Sequence, residues 1–269
     1  MKIKSNFYIV FFLLLISISK TYSQLSNLHY VPPLTSGQSN AIFKRQYLYI
    51  STPETSNVDV QITPIGGATF NITVSNSSPY RLDIDNDGSD QDGGQLYLAS
   101  PTLTAGSIIN DKGYIIQSSK EVYVGVRVFG DSQSGSTFPQ AGAMTSKGKS
   151  ALGKSFKAGM PLIPNTGLGQ VQFISVMATI DNTNVTFENL NSSVTYAGTV
   201  TSTITSLTIN LNRGESYILA ASRDQAGVTS STLIGTSIVS NKDIVVNSGS
   251  VVTTEKELVS LTHTVLLIG

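Results

Sequence analysis

Cysteine is absent from this chain of 269 residues, so neither a disulfide staple nor thiolate chemistry is available to it. Histidine is nearly absent too. His29 and His263 alone cannot furnish a histidine-based zinc site, and they leave little material for a Ser-His-Asp triad. Charge is sparse at 13% and balanced, 17 basic against 17 acidic residues, so no global field recruits nucleic acid or an anionic membrane. The one long apolar run, Phe7 to Ile18, falls short of the roughly 20 residues a membrane span needs. Lys2 and Lys4 precede that run. Thr21 and Ser23 stand at −3 and −1 of a cut before Gln24, which is the layout of a cleavable signal peptide over residues 1–23. With no cysteine near the cut a lipid anchor is excluded, and the expected location is secreted or cell surface, with no membrane span in the mature chain.

What is present is β structure. Valine, isoleucine, threonine, serine and tyrosine alternate with polar residues in short runs such as QYLYIST (46–52), NVDVQITPI (57–65), EVYVGVRVF (121–129) and QFISVMATI (172–180). Glycine- and asparagine-rich punctuation recurs between them. The best helical stretch, SKGKSALGKSFKAG (146–159), is broken by Gly148, Gly153 and Gly159. An all-β chain is expected.

The chain also echoes itself. YLYISTPETSNVDV (47–60) aligns with ISVMATIDNTNVTF (174–187), setting Thr52 on Thr179, Glu54 on Asp181 and Val58 on Val185. IQSSKEVYV (116–124) aligns with IVSNKDIVV (238–246), setting Ser118 on Ser240, Lys120 on Lys242 and Glu121 on Asp243. Two related β-sandwich-like units follow, 24–139 and 165–250, with 140–164 as the segment linking them.

Few constellations carry chemistry. DIDNDGSDQDGG (83–94) sets Asp83, Asp85, Asp87 and Gly88 where a D-x-D-x-D-G calcium loop places its first ligands and its turn glycine. Position 12 is Gly94 instead of a bidentate glutamate, and the flanks read as strands, so an EF-hand is excluded. A looser calcium loop and a plain hairpin tip both remain open, since Asp, Asn and Gly are also what any exposed turn prefers. Ala143 to Ser150, AMTSKGKS, fits a relaxed phosphate-loop pattern, but it lacks the strand and long helix that would make it a nucleotide cradle. Its lysines then belong to a solvated linking loop. The carboxylate pairs Glu54 with Asp59 and Asp181 with Glu188 fall in turns and on solvent faces, where structural duty is the simpler reading than glycosidase chemistry. Four N-x-[ST] tripeptides start at Asn71, Asn76, Asn184 and Asn191; in a bacterial host they amount to polar turns and strand faces.

HYVPPL (29–34), QYLYISTP (46–53), QAGAMTSKGKSALGKSF (140–156), VQFISVMATIDNTNVTF (171–187), LNRGESYILA (211–220) and NKDIVVNSGS (241–250) together resemble the IgGFc-binding protein N-terminal domain. That resemblance spans nearly all of 29–250. It implies an extracellular, non-enzymatic module at the head of a long surface protein of gliding, flavobacteria-like bacteria. The function it implies is adhesion or recognition without catalysis or cofactor, calcium excepted. An extracellular glycan or glycoprotein is the expected ligand class and nucleic acid is not a partner. A structural spacer, or less readily a carbohydrate-active enzyme, are the alternatives. After SGS (248–250) the run VVTTEKELVSLTHTVLLIG departs from the family pattern. The expectation is that 251–269 are a frameshifted end of a longer gene.

Overall fold

The computed structural model describes residues 24–35, 43–85, 95–98, 106–130, 141–160, 171–194, 196, 204–222, 229, 232–251 and 264–266. The described residues form strands, one short 3-10 turn and no α-helix. The alternation in the sequence shows directly in burial. In β4 (Val58–Pro64), Val58, Val60 and Ile62 are buried while Asp59 and Gln61 face water. Each such apolar side chain contributes about 1.5–3 kcal/mol on leaving water.

Two long strands organise the fold. β9 (Tyr114–Gly130) pairs through its first half with β1 (Ser26–Val31) and β4, and through its second half with β3 (Phe43–Ser51) and β10 (Ala141–Ser146). β5 (Phe70–Val74) continues the first ladder beyond β4, and β6 (Tyr80–Asp85) continues the second beyond β3. β9 thus joins both ladders into one curved eight-stranded sheet, with Leu48, Ile50, Val60, Ile62, Val124 and Val126 in the core that it encloses. β16 (Ser237–Val251) repeats the arrangement. It pairs first with β11 (Gly153–Lys157) and β13 (Thr183–Glu188), then with β12 (Val171–Ala178), while β14 (Ser206–Leu211) extends β13 and β15 (Ser216–Ser222) extends β12.

The pairing schemes coincide, and so do the side-chain bonds at the bends. Ser118 Oγ donates to Lys120 O at 2.6 Å, as Ser240 Oγ does to Lys242 O at 2.7 Å. Thr52 Oγ1 donates to Glu121 O at 2.9 Å, as Thr179 Oγ1 does to Asp243 O at 2.6 Å. Lys120 Nζ donates to Glu54 Oε2 at 2.7 Å, and Lys242 Nζ to Asp181 O at 2.6 Å. The duplication expected from sequence is therefore present, with a correction in register. Val60 faces Ser118 and Ile72 where Val185 faces Ser240 and Ile209, so Val60, not Val58, is the structural counterpart of Val185. The turn between the first two strands of each unit absorbs the slip.

The units are fused. Phe173 and Val171 of β12, with Ile218 and Ala220 of β15, lie in the core of the first unit. β8 (Ile108–Ile109), from the first unit's stretch of chain, pairs with β15. β2 (Leu34–Thr35) pairs with β7 (Tyr97–Leu98) as a small separate ladder, and Leu34 and Leu96 join the same core. Every residue of β12 is buried, because one side faces its own unit and the other faces the neighbour.

Residues 141–157 are structured by both units. β10 closes the first and β11 opens the second, joined by a 3-10 turn, Gly148–Ala151. Gly148 has φ +56°, and a Cβ there would stand 2.1 Å from Ser26 Cβ, so glycine is required for the turn to lie on β1. Ser26 Oγ accepts the Lys149 N–H at 3.2 Å. His29 is fully buried at the same junction. Its Nε2–H donates to Ser26 O (3.1 Å) and Val122 O (3.0 Å), which leaves Nδ1 to accept from Ser146 Oγ at 3.0 Å. Burial lowers its pKa below the usual imidazole value, against the opposing pull of the two carbonyls. His29 is a structural pin.

Of the tail, Val251 and β17 (Thr264–Leu266), which pairs parallel with β10, are described. Residues 1–23, where a signal peptide is expected, and His263 lie outside the described residues.

Candidate functional site

The outer surface of β6, β3, β9 and β10 carries the one concentration of exposed aromatic and guanidinium groups among the described residues. Alternation on β3 turns Leu48 and Ile50 inward, leaving Arg45, Tyr47 and Tyr49 on the opposite side. Register then fixes their neighbours. Tyr49 stands between Arg81 and Gly125; Tyr47 stands between Asp83 and Arg127. Tyr123 is next along β9, opposite Ser51. Tyr49 and Tyr123 are 39% and 38% exposed, large values for tyrosines within paired strands.

The face is pre-shaped. Arg81 Nε and Nη2 donate to the two oxygens of Asp83 at 2.7 and 3.1 Å, a fork-on-fork pair. The same guanidinium lies 5.2 Å from the Tyr47 ring centre, within cation–π range. The Tyr47 and Tyr49 rings are 6.2 Å apart and tilted by 52°. Asp83 raises the Arg81 pKa further by hydrogen bond and charge, so the guanidinium is cationic at every relevant pH. Gly125 leaves open space beside Tyr49, since a Cβ there would meet only Met144 O at 3.7 Å. A ring-lined surface with one residue's side chain missing beside Tyr49 is the result.

The same sheet positions in the second unit have opposite chemistry. By pairing register Phe173 occupies the place of Tyr47, one residue before the Ile174 that the sequence alignment set there; Ser175 takes that of Tyr49, Ile218 that of Arg81, Ala220 that of Asp83 and Gly249 that of Arg127. There the surface is covered by the first unit, and Ser175 Oγ donates to Pro33 O at 2.6 Å across the junction. One copy of the face is an internal seam; the other faces solvent.

A second surface, the polar side of β4, β5 and β9, forms a shallow depression lined by Asp59, Gln61, Asn71, Gln117 and Ser119. It has no aromatic lining. Cross-strand pairs such as Thr63 with Thr69 at 3.0 Å make it an ordinary solvated sheet face.

The residues singled out in the sequence are scattered. Asp83 sits in β6 with both oxygens engaged by Arg81, Asp85 ends that strand, and Asp87 lies outside the described residues. Among the described residues no group of three or more metal-ligating side chains comes together. In the phosphate-loop-like stretch, the Gly148 and Lys149 N–H groups are bonded to Ser146 and Ser26 hydroxyls. Glu54 is held by Lys120, and Asp181 Oδ1 accepts the Arg213 N–H at 2.8 Å, both fixing turns. No motif marks the tyrosine face; its signal in sequence is the spacing of Arg45, Tyr47 and Tyr49 on the side of β3 away from Leu48 and Ile50.

Residues 141–260 match the family model described as IgGFc binding protein. The match opens at the first residue of β10 and takes in the whole second unit, so the resemblance seen in the sequence holds for that part of the chain. Comparison with curated proteins and with solved structures returns no match. The match supports a β-rich recognition module. No helix among the described residues is long and apolar enough to cross a membrane.

Proposed function

We propose that the chain is an exported, non-catalytic recognition module that binds glycan chains, free or on a glycoprotein, through the tyrosine face of its first unit. The observation that carries this is the contrast between copies. At matching sheet positions the second unit has Phe173, Ile218 and Ala220 buried in a seam, whereas the first has Arg81 and Asp83 exposed and Tyr47 half-exposed. Tyrosine presents a broad apolar ring with a polar tip, suited to a partner that is apolar on its ring faces and hydroxylated at its edges. A pyranose fits that description. The rings are held by neighbours before any ligand arrives, which lowers the ordering cost of binding.

Export, through the basic and apolar signal-like start of the chain, would bring this face to extracellular sugars. The family match to IgGFc binding protein agrees with a module that binds without turnover. The test is a glycan array probed with the mature chain and with Tyr49→Ala. Binding by the parent that Tyr49→Ala removes is expected. No binding to any glycan at high protein concentration would favour a structural spacer, and turnover of a bound glycan would favour an enzyme.

A further inference from the structure

We infer that this face selects anionic sugars, reading a carboxylate or sulfate substituent with Arg127 while the ring rests on Tyr47 and Tyr49. The inference rests on the glycan reading above and adds the charge of the ligand. The described part of the face carries three guanidinium groups, Arg45, Arg81 and Arg127, against two carboxylates, Asp83 and, at the far end beyond Tyr123, the exposed Glu121. Asp83 is fully engaged by Arg81, so that pair is internally neutral and acts as a strut beneath Tyr47. Arg127 is different. It stands directly across the ladder from Tyr47 on the opposite side to Asp83, is exposed, and makes no ion pair among the described residues.

Cross-strand neighbours have Cβ atoms about 5 Å apart, so the Arg127 guanidinium can reach a substituent at the edge of a ring seated over Tyr47. Its planar fork of donors matches the paired oxygens of a carboxylate or a sulfate. Its counterpart in the buried copy is Gly249, which carries no side chain at all. Arg45, one turn of the alternation beyond Tyr47, extends the positive strip along the same line. A neutral sugar would use the rings and leave Arg127 in water, at no cost and with no gain.

The experiment is calorimetric titration of the mature chain with matched probes differing only in charge. The pairs are oligogalacturonate with its methyl ester, 3′-sialyllactose with its methyl ester, and dextran sulfate with dextran; poly-glutamate serves as a charged non-sugar. The expected result is that the acidic member of at least one pair binds roughly tenfold or more tighter than its neutral partner, the size of one charge-assisted contact. Arg127→Gln should bring that member down to the neutral level and leave the neutral sugar unchanged. The carboxylate pairs and the sulfate pair tell which anion is read. Equal affinity within every pair, or an equal loss for both members in Arg127→Gln, overturns the anion selection while leaving the glycan reading in place. Poly-glutamate binding as tightly as the best sugar overturns it as mere charge attraction. No binding by any sugar ends both readings.

Discussion

Phe173→Ala and Tyr47→Ala remove an aromatic ring from equivalent points of two copies of one sheet, and the structure expects unequal results. Phe173 is fully buried and packs into the core of the first unit from a strand of the second, so its loss opens a cavity at the seam. A phenylalanine-to-alanine change of this kind costs about 3–5 kcal/mol. Tyr47 is only partly covered, and its ring touches the Arg81 guanidinium at 5.2 Å. Its removal forfeits a cation–π contact and some shielded area, about 1 kcal/mol. For a domain of this size, each kcal/mol moves Tm by about 2–4 °C, so the two variants should separate by roughly 4–16 °C in calorimetry. Chemical denaturation followed by circular dichroism gives the same comparison at 25 °C. Equal losses would mean that the face bearing Tyr47 is as covered as that bearing Phe173, and the asymmetry on which the functional reading stands would be gone.

Burial depresses the His29 pKa, so the unfolded chain binds this proton at higher pH than the folded one. Stability from this residue is therefore present above pH 6.5 and is lost as pH falls below it; denaturant midpoints measured from pH 7.5 to 5 should decline, and His29→Phe should flatten that decline. Gly148→Ala meets both a left-handed φ of +56° and a 2.1 Å clash with Ser26, whereas Gly235→Ala meets a φ of +82° in open space. The first should lower Tm clearly more than the second, which carries only the conformational cost of about 1–2 kcal/mol. Arg81 competes with any cation for Asp83, so if the aspartate loop takes calcium, Arg81→Ala should tighten Ca²⁺ binding in calorimetry; no heat in either protein removes the metal.

The strands were legible because their inward sides are apolar at every second residue, as in Val58, Val60 and Ile62. The duplication was legible through residues whose side chains fix the bends: Thr52 and Thr179, Ser118 and Ser240, Lys120 and Lys242. Register was not, because a two-residue slip keeps Val58, Val60 and Val185 all apolar and all facing inward, so the pattern scores both alignments alike. The stretch from Ala141 to Lys157 reads as a link because its glycines and lysines dominate its composition; the structure gives those residues to two paired strands and a turn pinned on Ser26. The tyrosine face was the least legible. QYLYIST and VQFISVMA are both β runs, and only the docking of the units decides that Phe173 is fully covered while Tyr47 stays half-exposed. That docking is a long-range fact with no local signature.

The most direct test of the account is aromatic-ring NMR of the mature chain, titrated with whichever glycan binds best on the array. The ring resonances of Tyr47, Tyr49 and Tyr123 are expected to shift together and saturably, with those of buried Tyr114 and Tyr217 unmoved. Shifts confined to residues of the β4–β5 face, such as Asn71 and Gln61, with the three tyrosines silent, would contradict it.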